Sequence, residues 1–184
     1  MLSPEKSTKN PNYYRIPPGA AGVAHAPWRT GARRVWGLKP TIEFLIQLGW
    51  WWDFGWNPYE KYVQSRIYLG DISPEGGANG NDPVKDHSTH KSGHDVDIFF
   101  VRTDGAAQRT SCLAADAGTY DLDQTTKLGK LIVETAERMG LIIGFFYCSD
   151  QRVRAQVPKA TDFTNHHDHF HVNIVHPSEI KKKR

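Results

Sequence analysis

"HFHVNIV", residues 169–175, reads as a β-strand. Successive side chains of a strand point to opposite faces, so His169 and His171 share one face while Phe170 and Val172 point into a core. Just upstream, "NHHD" (165–168) adds His166 and His167, which puts four histidines within six positions. A second stretch, "DHSTHKSGHDVDIFFV" (86–101), carries His87, His90 and His94 and ends in another strand, 95–101. There Asp95 and Asp97 face one way and Val96 and Ile98 the other. Seven of the nine histidines lie in these two stretches. If the two strands are neighbours, a His, a carboxylate and a second His converge on one polar face.

Working outward, the remaining pattern is that of an α+β protein. Strands are expected at 65–73 and 141–148, and helices at 40–51 and 123–139. Pro40 suits a first helical position; Asp123 is the candidate N-cap of the second helix and Gly140 its stop. Strands and helices do not alternate with a regular βαβ beat, which favours a single small domain with an antiparallel sheet and flanking helices. Residues 1–38 read as an extended lead-in packed on the domain, 39–176 as the domain itself and 177–184 as a basic tail. The 184 residues suffice for one core. "GWWWDFGWNPY" (49–59) is expected to serve in core and rim packing, and the long loop 74–93 to be either functional or disordered.

Composition narrows the function. A formal charge of +3 is too small to argue for nucleic acid, and the tail Lys181–Arg184 reads as a solvated end. No apolar stretch approaches a membrane span, and no apolar h-region marks a secretory signal. Cys112 and Cys148, 36 positions apart, form no CxxC pair; one disulfide and two buried thiols are both open.

Two imidazoles and a carboxylate are the ligand set of a catalytic zinc site, with the fourth position left to water. His90, Asp97 and His171 are assigned as ligands, with one Zn2+ per chain. Asp95 is assigned to steady a ligand imidazole. Asp168 alternates to the face opposite His169 and is read as a cap or turn residue; His94 and His167 are bystanders. No HExxH is present and no Glu lies near either cluster, so the proton shuttle falls to histidine, with His169 and His166 best placed. A structural zinc closed by His169 or His87 is the competing arrangement.

Ser88-x-His90-x-x-Gly93-x-x-x-Asp97 resembles the SxHxxGxxxD pattern of the LAS zinc peptidases, and His166-x-x-His169-x-His171 resembles their second motif. The similarity is nearest to the penicillin-insensitive murein endopeptidases. "ARRVWG" (32–37), "GDIS" (70–73), Gly76-Gly77, His87, "SGHDVDI" (92–98) and "HFHV" (169–172) follow in that order over about residues 33–175.

The resemblance implies a small α+β domain around an antiparallel sheet and zinc on His90, Asp97 and His171. It places His169 and His166 beside the metal as catalytic groups, with His87, and Ser88 of the same motif, lining the substrate site. It implies hydrolysis of peptidoglycan cross-links such as D-alanyl–meso-diaminopimelate, by a monomer acting in the periplasm or cell wall. Without a signal segment, a phage endolysin or exported toxin is as natural an expectation as a resident enzyme. The alternatives are a D,D-carboxypeptidase or dipeptidase of the same fold and a non-catalytic zinc-containing wall-binding module. Asn165-His166-His167-Asp168 departs from the family's more usual Trp-Gly-His-Asp.

Overall fold

The computed structural model describes residues 2–27, 34–54, 66–75 and 89–180. The elements in chain order are β1 (Glu5–Lys6), β2 (Tyr13–Arg15), β3 (Val23–His25), β4 (Gly37–Leu38), α1 (Lys39–Phe54), β5 (Ile67–Leu69), β6 (Asp95–Phe99), α2 (Leu122–Arg138), β7 (Ile142–Tyr147), α3 (Gln151–Arg154), β8 (His169–Val175) and α4 (Pro177–Ile180). Among the described residues the strands form a three-stranded sheet, β1-β2-β4, and a five-stranded sheet, β3-β5-β6-β8-β7.

The centre of the larger sheet follows from the alternation in its two middle strands. Val96, Ile98, Phe170, Val172 and Ile174 are fully buried in one apolar core with α1 and α2. Asp95, Asp97, His169 and His171 occupy the opposite face. The antiparallel register sets Asp97 opposite His171 and Phe99 opposite His169. A shift of one residue would exchange the core face for the polar face, so burial of the apolar set specifies this pairing.

Both expected helices form. α1 buries Ile42, Phe44, Leu45, Ile46 and Leu48, and carries Trp51 and Trp52 against the core. It approaches β3 through glycine: a Cβ on Gly22 would lie 2.0 Å from the Gly49 carbonyl oxygen. The N-cap of α2 lies two residues before the expected one. Asp121, not Asp123, is the N-cap, accepting a hydrogen bond from the Gln124 N–H at 2.9 Å. Gly140, at φ +65°, ends it as expected.

Two features depart from the expected layout. The N-terminal segment is more than a wrapping, since it supplies β3 to the larger sheet, and β3 pairs with β5 in parallel, while the other pairings of that sheet are antiparallel. The strand expected over 65–73 is regular only at β5, with 70–73 held alongside β6 by the Gly70 N–H to Asp97 carbonyl and Asp97 N–H to Asp71 carbonyl bonds. Cys112 and Cys148 are free thiols; burial pushes the Cys148 thiol up to about 12, which makes it unreactive. Among the described residues no helix is long and apolar enough to cross a membrane.

Candidate metal centre and flanking histidines

His90 reaches the polar face from the turn before β6. Gly93, at φ +80°, allows that turn, and a Cβ there would stand 2.9 Å from the Leu38 backbone nitrogen. The small sheet braces the turn: the Leu38 N–H donates to the Gly93 carbonyl and the Tyr13 hydroxyl to the Ser92 carbonyl. The His90 ring is then aimed by its own Nδ1, 3.0 Å from the Ile72 carbonyl oxygen. A carbonyl only accepts, so Nδ1 carries a proton, and in the neutral ring the lone pair is on Nε2.

That lone pair faces Asp97. Its Oδ1 lies 3.2 Å from His90 Nε2, 3.3 Å from His171 Nδ1 and 3.6 Å from His169 Nε2. The oxygen is buried and has no hydrogen-bond partner among the described residues. Burying a carboxylate oxygen without a partner is costly, and a cation shared with the two neighbouring nitrogens removes the cost. Burial pushes the Asp97 carboxyl up, but the imidazoles around it, His90 first, outweigh this and hold it well below the ordinary carboxylate range. Burial likewise pushes His90 down, while Asp97 and then Asp95 and Asp71 hold it above its ordinary value. The donor atoms of His90, Asp97 and His171 lie within 4.8 Å of one another and could hold a metal ion.

Asp95 stands behind His171: its Oδ1 is 3.7 Å from His171 Nε2, too far for a hydrogen bond, and Nδ1 is the nitrogen turned toward Asp97. Asp95 in turn accepts from Asn173 Nδ2 at 2.9 Å. Asn173 stands where β7 bulges between Ile143 and Phe145, and a Cβ on Gly144 would come 2.4 Å from Asn173 Oδ1. Asp95 thus lies near the His171 ring without hydrogen-bonding it; Asn173 and Gly144, on its far side, carry no local sequence signal.

His166 and His169 form a second donor group with His171, also within 4.8 Å. His166 directs Nδ1 at the Thr164 carbonyl oxygen, 2.8 Å away. Burial, reinforced by the neighbouring His169 and His171, keeps its pKa below the ordinary histidine value, so it is neutral near pH 7. His169 directs Nδ1 at Asp168 Oδ1, 2.6 Å away. Both rings therefore present Nε2 as the available base.

Asp168 corrects the reading from alternation. It precedes the first residue of β8, the period of two does not reach it, and its carboxylate turns to the His169 ring rather than away. Arg109 was not foreseen; its Nε donates to Asp168 Oδ2 at 2.7 Å, and its Nη2 donates to the same oxygen. Burial raises the Asp168 carboxyl, but His169 and Arg109 outweigh it and keep the group ionised. Other residues near the cluster are aromatic: Tyr147 stacks on Phe163 at 4.6 Å and on Phe145 at 4.7 Å, and Phe163 is 52% exposed beside His166. His94 hydrogen-bonds the Ile174 carbonyl, away from the ligand set. The expected substrate residues His87 and Ser88 lie outside the described residues.

No protein-family model matches the chain, and no curated protein matches it in sequence.

Proposed function

We propose that this protein is a zinc-dependent peptidase that hydrolyses peptide cross-links of peptidoglycan, acting on the stems of the cell wall as an endopeptidase. The observation that carries the reading is the buried Asp97 Oδ1, without a hydrogen-bond partner among the described residues and ringed by the nitrogens of His90, His171 and His169. One carboxylate and two imidazoles suit zinc, and two further imidazoles with bare Nε2 atoms suit proton transfer rather than a closed structural site. The motif resemblance over residues 88–97 and 166–171 supplies the substrate class.

Zinc held by His90, Asp97 and His171 supplies a water acidic near neutral pH and a Lewis acid for the scissile carbonyl. The chain supplies the rest. His169 or His166, each fixed through Nδ1 on Asp168 or Thr164, accepts the proton of the attacking water at its Nε2. The same nitrogen returns it to the amine nitrogen as the C–N bond breaks.

Metal analysis of the purified protein joined to a digest of purified sacculi tests this. One zinc per chain with cross-linked dimers converted to monomers supports the endopeptidase. Unchanged cross-linking with shortened stems gives the carboxypeptidase instead, and tight wall binding with no product gives a binding module. Absence of bound zinc after growth in zinc-replete medium overturns the reading.

A further inference from the structure

We infer that Asp168 and Arg109 are positioning residues that lock the His169 ring in the orientation and tautomer needed for proton transfer, a role that rests on the peptidase reading above. Four contacts carry it. Asp168 Oδ1 takes the His169 Nδ1 proton at 2.6 Å, and Asp168 Oδ2 takes two N–H groups of Arg109. The Asp168 carbonyl accepts from the Phe100 N–H at 3.0 Å, which ties the carboxylate to the end of β6, the strand that carries Asp97. The Cys112 N–H donates to the His167 carbonyl at 2.8 Å, which ties the Arg109 segment to the same loop. Phe99 closes the arrangement, with the Arg109 guanidinium 5.8 Å over its ring and the His169 ring edge-on at 6.2 Å.

The effect is directional. With Nδ1–H held by Asp168, neutral His169 presents only a lone pair at Nε2, and that atom points into the cluster, 3.6 Å from Asp97 Oδ1. Neither Asp168 nor Arg109 belongs to the donor group of His90, Asp97 and His171, so metal binding does not need them. The Arg109 side chain is 61% exposed, whereas that of Asp168 is 12% exposed, so the pair joins a surface cation to a buried carboxylate. It links residues 59 positions apart and ends on the ring of a candidate base.

The test uses the zinc-loaded full chain and a purified cross-linked muropeptide dimer. Asp168→Asn keeps the shape and loses the charge. It is expected to lower kcat about 100-fold or more, in the range of a lost general base, with KM and zinc content unchanged. Arg109→Gln is expected to lower kcat less, Arg109→Lys to recover part of it, and the double variant to be no worse than Asp168→Asn alone, as for groups acting in one chain of bonds. Wild-type kcat in Asp168→Asn overturns the inference. So does a rise in KM at constant kcat in the Arg109 variants, which would make Arg109 a substrate-binding group. A second readout does not depend on cleavage: the far-downfield proton resonance of a hydrogen-bonded imidazole N–H, present in wild type and lost in both Asp168→Asn and His169→Ala. If the dimer is not cleaved but this resonance behaves as stated, the positioning stands and the peptidase reading falls. If the resonance survives Asp168→Asn, the positioning falls whatever the activity.

Discussion

At the scale of single residues, the centre is organised by what stands behind each donor. His90 has the Ile72 carbonyl at 3.0 Å, and Asp95, 3.7 Å from His171 Nε2, is itself held by Asn173. Partners of this kind fix ring orientation and are worth roughly 10- to 100-fold in metal affinity. Asp95→Asn and Asn173→Ala are therefore expected to weaken zinc binding by about that factor, read by competition with a chromophoric chelator, whereas Asp97→Asn removes a ligand charge and is expected to abolish stoichiometric binding. Affinity unchanged in Asp95→Asn would show that His171 needs no support. The donor trio was legible because its members fall in two short stretches, one strand with the turn before it and one strand, where spacing is local. The carboxylate beside His169 was not, because alternation is a property of strand backbone and Asp168 sits one residue before it.

At the scale of elements, two glycines and one cap make distinguishable contributions. Gly129 on α2 faces Val157, whose Cγ2 would lie 2.8 Å from an added Cβ, and Phe170 at 3.3 Å. Gly129→Ala is expected to overpack the helix against the sheet and destabilise by about 1–3 kcal/mol. The urea midpoint should fall while zinc affinity is kept. Gly93→Ala combines a left-handed φ with a backbone collision in the turn that carries His90, so zinc affinity should fall as well. The corrected cap gives a sharper comparison. Asp121→Ala is expected to cost about 0.5–2 kcal/mol, and Asp123→Ala to leave the midpoint nearly unchanged. Equal losses would restore Asp123 to the role its place in the sequence suggested. The two aspartates are two positions apart, and only the path of the chain out of Tyr120 decides which one meets the first free N–H groups.

At the scale of the whole molecule, stability is linked to protons and to metal. His25 on β3 has both ring nitrogens buried and, among the described residues, without a hydrogen-bond partner. Burial, and then the charge of Arg15, lowers its pKa from 6.5 to about 4. Between those values the unfolded chain binds a proton that the folded chain does not, so stability rises with pH across the window and this contribution is complete above it. The loss on acidification amounts to roughly 3 kcal/mol, at about 1.4 kcal/mol per unit. His25→Leu is expected to flatten the dependence of urea midpoint on pH by a comparable amount; an unchanged slope would mean that His25 is protonated in the fold. Metal acts in the same way: an ion at 1,000 times its dissociation constant stabilises by about 4 kcal/mol, so chelation should lower Tm in wild type and leave Asp97→Asn unmoved.

By itself the sequence determined which residues face the core and which face the centre in β6 and β8, because strand periodicity converts a local pattern of His, Asp and apolar residues into two faces. From that came His90, Asp97 and His171 as one donor set; helical spacing over 40–51 and 123–139 added both long helices and with them the α+β class. Only the tertiary structure decided the antiparallel register that puts Asp97 opposite His171, the parallel entry of β3, the bulge that admits Asn173, and the bond from Arg109 to Asp168. Those depend on where loops return the chain over tens of residues. Such returns are chosen by the burial of the whole apolar set, which no short window of sequence contains.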